Sequence, residues 1–195
     1  YRGLGWVYKF ANQPEGLMLH GNNDTMMEHK PQKYDNLNPT DEIIKEASLN
    51  MGKMKNFHDA TKNFEKSIEL SPNNADTYNG LAWIYSYQFD FDKAIEYFKK
   101  DAELSPRHAD AYNGIGWIYY FLEDYDKAIE NFNKALELEP THYEAQDGLA
   151  WVYYRLGNYK KAIELFDSSI KLNRKFHEPY EGLGRVYYKL KDYDK

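Results

Sequence analysis

The stretch ADAYNGIGWIYYFLEDYDKAIENFNKALELEP, residues 109–140, decides the fold, because copies of it stand on both sides. Residues 75–106 read ADTYNGLAWIYSYQFDFDKAIEYFKKDAELSP, which is the same pattern 34 residues earlier, and residues 143–174 read YEAQDGLAWVYYRLGNYKKAIELFDSSIKLNR. A weaker copy, DEIIKEASLNMGKMKNFHDATKNFEKSIELSP, starts at Asp41. A fixed period of this length predicts stacked copies of one supersecondary unit.

Each copy predicts two amphipathic helices. With the first residue of a copy as position 1, positions 4, 7, 8 and 11 fall on one apolar face of the first helix. Position 16 is Asp or Asn in every copy, which suits the N-cap of the second helix. Prolines such as Pro140 end that helix, and Thr141 with Glu144 predicts a capping box for the next one. We expect helices at 41–54, 57–71, 75–88, 91–104, 109–122, 125–138, 143–156 and 159–172.

The period and its small residues resemble the tetratricopeptide repeat family from Asp41 to Lys195. That family has a 34-residue period with small residues at positions 8, 20 and 27; here position 20 is alanine in four copies, and position 8 is Ser, Ala or Gly. The resemblance implies an all-α fold, a right-handed superhelical solenoid of antiparallel helix pairs. The expected organisation is a partial, degenerate repeat plus linker at 1–40, full repeats at 41–74, 75–108, 109–142 and 143–176, and a partial repeat at 177–195 with its first helix only.

Two repeat positions hold residues that a packed helix disfavours. Position 27 is Asp101 in the second copy, where the family has a small residue. We expect a slightly rotated helix that lets this carboxylate reach solvent; the alternative is a buried acid held by a polar neighbour. Position 6 is glycine in five copies, at a cost of about 1 kcal/mol each relative to alanine. The expected reason is close approach of a neighbouring helix, and the alternative is close approach of a ligand.

The family resemblance implies that the first helices line a concave wall. Positions 2, 5, 9, 12 and 13 lie on the side of these helices away from the core stripe. All four tryptophans occupy position 9, and we expect them to face the groove; the alternative is that they pack between hairpins. The candidate peptide-binding residues are Trp83, Trp117, Trp151, Asn79, Asn113, Asp76, Asp110, Glu144, Asp147, Tyr87, Tyr120, Phe121 and Tyr154.

These residues predict a scaffold for protein–protein interaction. Aromatic faces suit cationic groups and proline rings, and flanking carboxylates attract basic partners. We therefore expect an extended peptide segment, basic or proline-rich, in the groove. The alternative is a repeat lobe of a larger enzyme, or a peptide-sensing regulator, whose catalytic or effector domain lies elsewhere. In peptide-sensing members groove asparagines hold the ligand backbone, a role that Asn79 and Asn113 would suit.

The sequence offers no motif for catalysis, a cofactor or a metal, so we expect no enzyme activity. His108 and His142 share one repeat position and are expected to be solvated loop residues. The net charge of -6 argues against a nucleic-acid partner, and residues 75–142 alone carry 13 Asp and Glu against 6 Lys and Arg. No apolar run is long enough to span a membrane. The expected location is the cytoplasm, with an exported form as the alternative.

We also expect end-to-end self-association of the array. Its last predicted helix would leave Leu183, Val186, Tyr187 and Leu190 open to water unless another helix covers them.

Overall fold

The computed structural model describes residues 56–191, and within that range every regular element is an α-helix. The helices are α1 (56–70), α2 (Ala75–Tyr87), α3 (Phe91–Leu104), α4 (Ala109–Phe121), α5 (Tyr125–Leu138), α6 (Tyr143–Arg155), α7 (Tyr159–Leu172) and α8 (Glu178–Lys191). This is the predicted all-α solenoid, with α2–α3, α4–α5 and α6–α7 as packed pairs. The helix expected at 41–54 and the repeat expected at 1–40 lie outside the described residues.

The helix starts confirm most of the predicted caps. The side chains of Asp90, Asp124 and Asn158 each accept a hydrogen bond from the backbone N–H three residues on, at 3.4, 3.2 and 3.2 Å. The predicted capping box of Thr141 and Glu144 is wrong. Helix α6 begins one residue later than that box requires, at Tyr143, and its N-cap is His142.

The turn that leads into each second helix contains one residue in the left-handed backbone region. It is Phe89 with a φ of 60°, Glu123 with 58° and Gly157 with 75°. These residues share position 15 of their copies. Since only glycine enters this region without steric cost, the turns at Phe89 and Glu123 carry backbone strain that the turn at Gly157 avoids.

A buried phenylalanine at position 24 joins each copy to the next. Its ring packs edge-on against the tryptophan of its own copy, and its tip lies beside the position-6 glycine of the following copy. The ring pairs are Trp83–Phe98, Trp117–Phe132 and Trp151–Phe166, with centroids 5.1, 5.4 and 5.2 Å apart. A Cβ on Gly114, Gly148 or Gly182 would lie 2.2, 2.4 or 2.2 Å from Phe98, Phe132 or Phe166. We name this arrangement the Trp–Phe–Gly contact; it confirms close helix approach as the reason for the glycines.

The first helices form the inner side of the solenoid. Successive first helices, α2, α4, α6 and α8, pack against one another more closely than successive second helices do. The second helices diverge on the outer side, where α3 and α5 leave a cleft of about 440 Å³ with Ile115 and Tyr119 in its lining. Positions 2, 5, 9, 12 and 13 therefore belong to the side where the helices converge.

Helix α8 exposes less apolar surface than expected. The prediction that Val186 is open to water is wrong, because Val186 is fully buried in the core that α6 and α7 form. Leu183 also packs on that core, whereas Tyr187 and Leu190 are exposed. Among the described helices, none is long and apolar enough to cross a membrane.

Candidate functional site

Position 5 of the first helices places three polar side chains in the packed inner wall. Asn79 on α2 donates from Nδ2 to Oδ2 of Asp101, at 2.7 Å. Asn113 on α4 and Asp147 on α6 are fully buried, and neither has a hydrogen-bond partner among the described residues. Burial raises the pKa of Asp147 well above its usual range, and nearby carboxylates, chiefly that of Glu178, raise it further. Two neighbouring copies therefore present unused donors and acceptors.

Asp101 is the partner that fixes Asn79, and its predicted exposure is wrong. The carboxylate is fully buried and accepts from Asn79, while its Oδ1 lies 2.7 Å from Nδ1 of His108. No rotation of the helix toward solvent is needed, because two polar neighbours replace the water. The alternative interpretation, a buried acid held by a polar neighbour, is the one that the structure supports.

A chain of carboxylates and imidazoles runs from Asp101 through parts of three copies. Nε2 of His108 lies 3.3 Å from Oδ2 of Asp110, whose Oδ1 lies 2.9 Å from Nε2 of His142. Nδ1 of His142 lies 3.3 Å from Oε2 of Glu144. The prediction that both histidines are solvated is wrong: His142 is buried and His108 is half-buried. The acids at position 2 draw the rings inward, so the chain links α3, α4 and α6.

The contacts in this histidine–carboxylate chain raise the pKa of its histidines and lower the pKa of Asp110. Hydrogen bonds to Asp101 and then to Asp110 raise the pKa of His108 to about 10. Burial lowers the pKa of His142, but hydrogen bonds to Asp110 and Glu144 outweigh that effect and raise it to about 9. Hydrogen bonds from His108 and His142 hold the pKa of Asp110 below its usual range. The neighbouring carboxylates therefore favour the protonated form of both rings, and that form offsets the charge of the acids around them.

The three tryptophans that the structure describes do not form an open aromatic wall. Trp117 and Trp151 are only 4% and 1% exposed, so the prediction that their faces line the groove is wrong; Trp83 is half-buried. The reason is the Trp–Phe–Gly contact, which places each indole against a buried phenylalanine ring. The guanidinium of Arg185 also lies 5.6 Å from the Trp151 ring centre.

The other predicted aromatic residues are half-buried and several of them join adjacent copies. Tyr87 stacks on Phe57 at 5.7 Å, and Phe121 stacks on Phe91 at 6.4 Å. The guanidinium of Arg155 lies over Tyr120, 6.0 Å from the ring centre. Burial raises the pKa of Tyr120 to about 12. Tyr154 packs edge-on against Trp151 at 5.5 Å.

The predicted groove acids have different surroundings. Asp76 is exposed, whereas Asp110 and Glu144 are half-buried and lie beside histidines. Asp147 is the fully buried member of the set. No group of acids and histidines in residues 56–191 could hold a metal ion. The wall therefore offers hydrogen-bonding groups at position 5 and carboxylates chiefly at position 2.

Comparisons with known proteins point to one family. Models of the tetratricopeptide repeat match residues 109–142, and residues 63–96 with 131–164; a further TPR repeat model matches 150–191. Two crystal structures of MamA are 27% identical and cover 70% of this chain with a TM-score of 0.57, over 80% and 74% of their own chains. PilF of Pseudomonas aeruginosa is 23% identical over 76% of this chain and 68% of its own, with a TM-score of 0.63, and shows a likeness in fold. No curated protein gives a significant sequence match.

Proposed function

Because the chain belongs to the tetratricopeptide repeat family and is a protein-interaction scaffold, we propose that it binds an extended, basic protein segment along the inner wall. The segment would lie across α2, α4 and α6, whose position-5 side chains face the convergent side. Burial of Trp117 and Trp151 leaves few flat faces for proline rings, which favours a basic segment over a proline-rich one. The fold is typical of scaffolds without catalytic activity, and we propose none for this chain.

One observation carries this proposal: Asn113 is fully buried with both its amide oxygen and its amide nitrogen unpartnered. Leaving a buried polar group unsatisfied costs about 1–3 kcal/mol. A peptide backbone offers one N–H and one C=O at each residue, which is the pair of groups that a carboxamide satisfies at once. The corresponding Asn79 already donates to Asp101, so its free capacity is smaller.

The charge distribution supports a basic ligand. Residues 75–142 carry 13 acidic side chains against 6 basic ones, and Asp76 is exposed on this part of the chain. Such an excess attracts cationic segments and accelerates their encounter with the wall. Attraction of this kind weakens as salt is raised, because screening at physiological ionic strength acts beyond about 8 Å.

The test is selection of short peptides of randomised sequence on the immobilised chain, followed by calorimetry with the enriched peptides. We expect Asn113→Ala to weaken binding by about tenfold, the factor that one lost hydrogen bond gives. Asn133→Ala is the matched control, because Asn133 is exposed on α5 of the same copy and should leave affinity unchanged. If no peptide is enriched, or if Asn113→Ala binds as well as wild type while both variants keep their helical content, the proposal fails.

Two further expectations stay proposals. End-to-end self-association would use exposed residues of α8 such as Tyr187 and Leu190, and sedimentation that shows a monomer at all concentrations would contradict it.

Location in the cytoplasm stays a prediction, which fractionation of the cells that make the protein would test.

A further inference from the structure

The two carboxyl oxygens of Asp147 can accept hydrogen bonds from a ligand, and no described residue donates to them. Its carboxyl is fully buried at position 5 of α6, and neither oxygen has a hydrogen-bond partner among the described residues. A carboxyl that meets a cation is ionised and then only accepts hydrogen bonds, so the donors must come from the ligand. The carboxylates of Glu178, Glu144 and Glu181 are close enough to act on it electrostatically, so its surroundings are acidic as well.

Ser169, at position 27 of the same copy, and Arg185 of α8 have partners other than Asp147. In the second copy, position 27 is Asp101 and pairs with the position-5 side chain, Asn79. In the copy of Asp147, position 27 is Ser169, whose hydroxyl donates to the backbone oxygen of Tyr143 at 2.9 Å. The packing that satisfies position 5 in one copy is therefore missing in the other.

Arg185 of helix α8 is engaged as well. The guanidinium of Arg185 donates to Oε1 of Glu181 from Nε and Nη2, at 3.1 and 2.7 Å, and lies over the ring of Trp151. This ion pair is on the exposed surface of α8, with 39% of the Arg185 side chain and 47% of the Glu181 side chain open to water. Rearranging it for a ligand would cost little, because exposed ion pairs contribute little to stability.

Resting on the proposed function, we propose that Asp147 is the anchor for one cationic side chain, a lysine or an arginine, of the bound segment. An ammonium or guanidinium group would donate to both carboxylate oxygens and supply a positive charge beside Asp147. A buried ion pair stabilises a complex only when such hydrogen bonds accompany it, and two free oxygens meet that condition. Asp147 would thus fix the register of the segment, while Asn113 one copy earlier holds its backbone.

The experiment compares peptide selection on wild type, on Asp147→Asn and on Asp167→Asn. Asp167 is exposed on α7 of the same copy, so its variant removes the same charge without touching the wall. We expect peptides enriched on wild type to share a lysine or an arginine at one position. The affinity of a synthetic peptide of that sequence should fall about 10- to 100-fold on Asp147→Asn and stay unchanged on Asp167→Asn.

A second pair of peptides isolates the contact. Replacing the shared cationic residue by norleucine should weaken binding to wild type by the same factor, with no further loss on Asp147→Asn. Exchanging lysine for arginine in that peptide shows which of the two cations the anchor takes. Additive losses from the peptide change and the Asp147 change would overturn the anchor, since they would place the cation elsewhere.

The outcomes separate this inference from the function on which it rests. Enriched peptides without a shared cation, or equal affinity on Asp147→Asn, would overturn the anchor and leave the scaffold proposal intact. No enrichment on wild type would overturn both. The ligand-free melting temperature of Asp147→Asn is expected to equal or exceed that of wild type, because the variant removes an unpaired buried carboxyl. A clear fall in melting temperature would show a structural role for Asp147 and would also overturn the anchor.

Discussion

Replacing Gly114 with alanine tests whether copies are joined by the fit of Phe98 against bare backbone. The added Cβ would lie 2.2 Å from Cζ and 2.5 Å from Cε1 of that ring. Carbon atoms in contact prefer about 3.5–4.0 Å, so the ring would have to move by more than about 1 Å. Phe98 is fully buried and packs edge-on against Trp83 at 5.1 Å, which leaves the ring no free space in that direction.

The expected loss follows from two opposing effects. Overpacking a filled core costs about 1–3 kcal/mol, whereas alanine gains about 1 kcal/mol over glycine in helix propensity. Gly184 is the matched control, because it lies in helix α8 and a Cβ there would meet nothing within 4 Å. Its alanine variant should be more stable than wild type by about 0.5–1 kcal/mol. Both variants gain the same helix propensity, so the difference between their free energies of unfolding leaves only the packing cost at Gly114. That cost is about 1–3 kcal/mol.

Urea denaturation followed by far-ultraviolet circular dichroism measures this difference. Since stacked repeats unfold as coupled neighbours, the transition midpoints are compared before any free energy is extracted. Adding Phe98→Leu to Gly114→Ala should recover part of the loss, because the smaller side chain leaves room for the new methyl group. If Gly114→Ala proves as stable as Gly184→Ala, the tight fit of Phe98 against α4 is refuted.

The remaining predictions concern the turns and the polar chain. Phe89→Gly should raise the free energy of unfolding by about 1 kcal/mol, and Gly157→Ala should lower it by about the same amount. The reason is that the φ of 60° at Phe89 and of 75° at Gly157 suits glycine. Unchanged melting temperatures would contradict this. Asp101→Ala should cost about 1–3 kcal/mol, because it leaves the buried Asn79 amide without its partner and removes one of the two acids paired with His108. This loss is expected although the family pattern has a small residue at that position, and a more stable variant would refute the hydrogen-bonding role. Wild type should be more stable than His142→Asn at pH 6.5, and this difference in the free energy of unfolding should shrink as pH rises to about 9. If urea denaturation gives both proteins the same pH profile, the ion pair of His142 with Asp110 is contradicted.

The sign of this pH effect follows from the direction of the pKa shift. The pKa of His142 is 6.5 in the unfolded chain and is raised to about 9 in the folded one, so the folded state binds the proton more tightly. Protonation therefore stabilises the fold fully below pH 6.5, and the contribution is lost as pH rises through about 9. Comparison with the variant is needed because Asp147, whose pKa is also raised, adds a pH dependence of its own to both proteins.

The helices could be predicted closely because their signals are local. The helix expected at 109–122 runs from Ala109 to Phe121, and the one expected at 125–138 has those bounds. The hydrophobic periodicity and the Asp124 cap, which determine where a helix begins and ends, both come from residues only a few positions apart in the sequence. Burial of Trp117 could not be predicted in the same way, since a helical wheel gives the direction of a side chain but not the distance to the next helix.

The polar partners were missed because they are distant in sequence or break the family pattern. Asp101 meets an asparagine 22 residues earlier, and the small residue normal at its position argued against burial of a carboxylate. A usable signal was present in the repeated order of a histidine followed two residues later by an acid, His108 with Asp110 and His142 with Glu144. A pair that recurs at the period of the fold indicates a contact that the fold repeats.

The Trp–Phe–Gly contact also decides where the array can be divided. Each position-24 ring belongs to one copy, but the bare backbone that covers it belongs to the next, so a helix pair on its own is an incomplete module. A fragment that stops after α5 would uncover Phe132, whereas one that continues through α6 keeps the glycine that covers it. Adding or deleting a whole 34-residue unit leaves every such ring facing a glycine. Gene duplication, or a protein engineer, can therefore lengthen this array without redesigning the Trp–Phe–Gly contact.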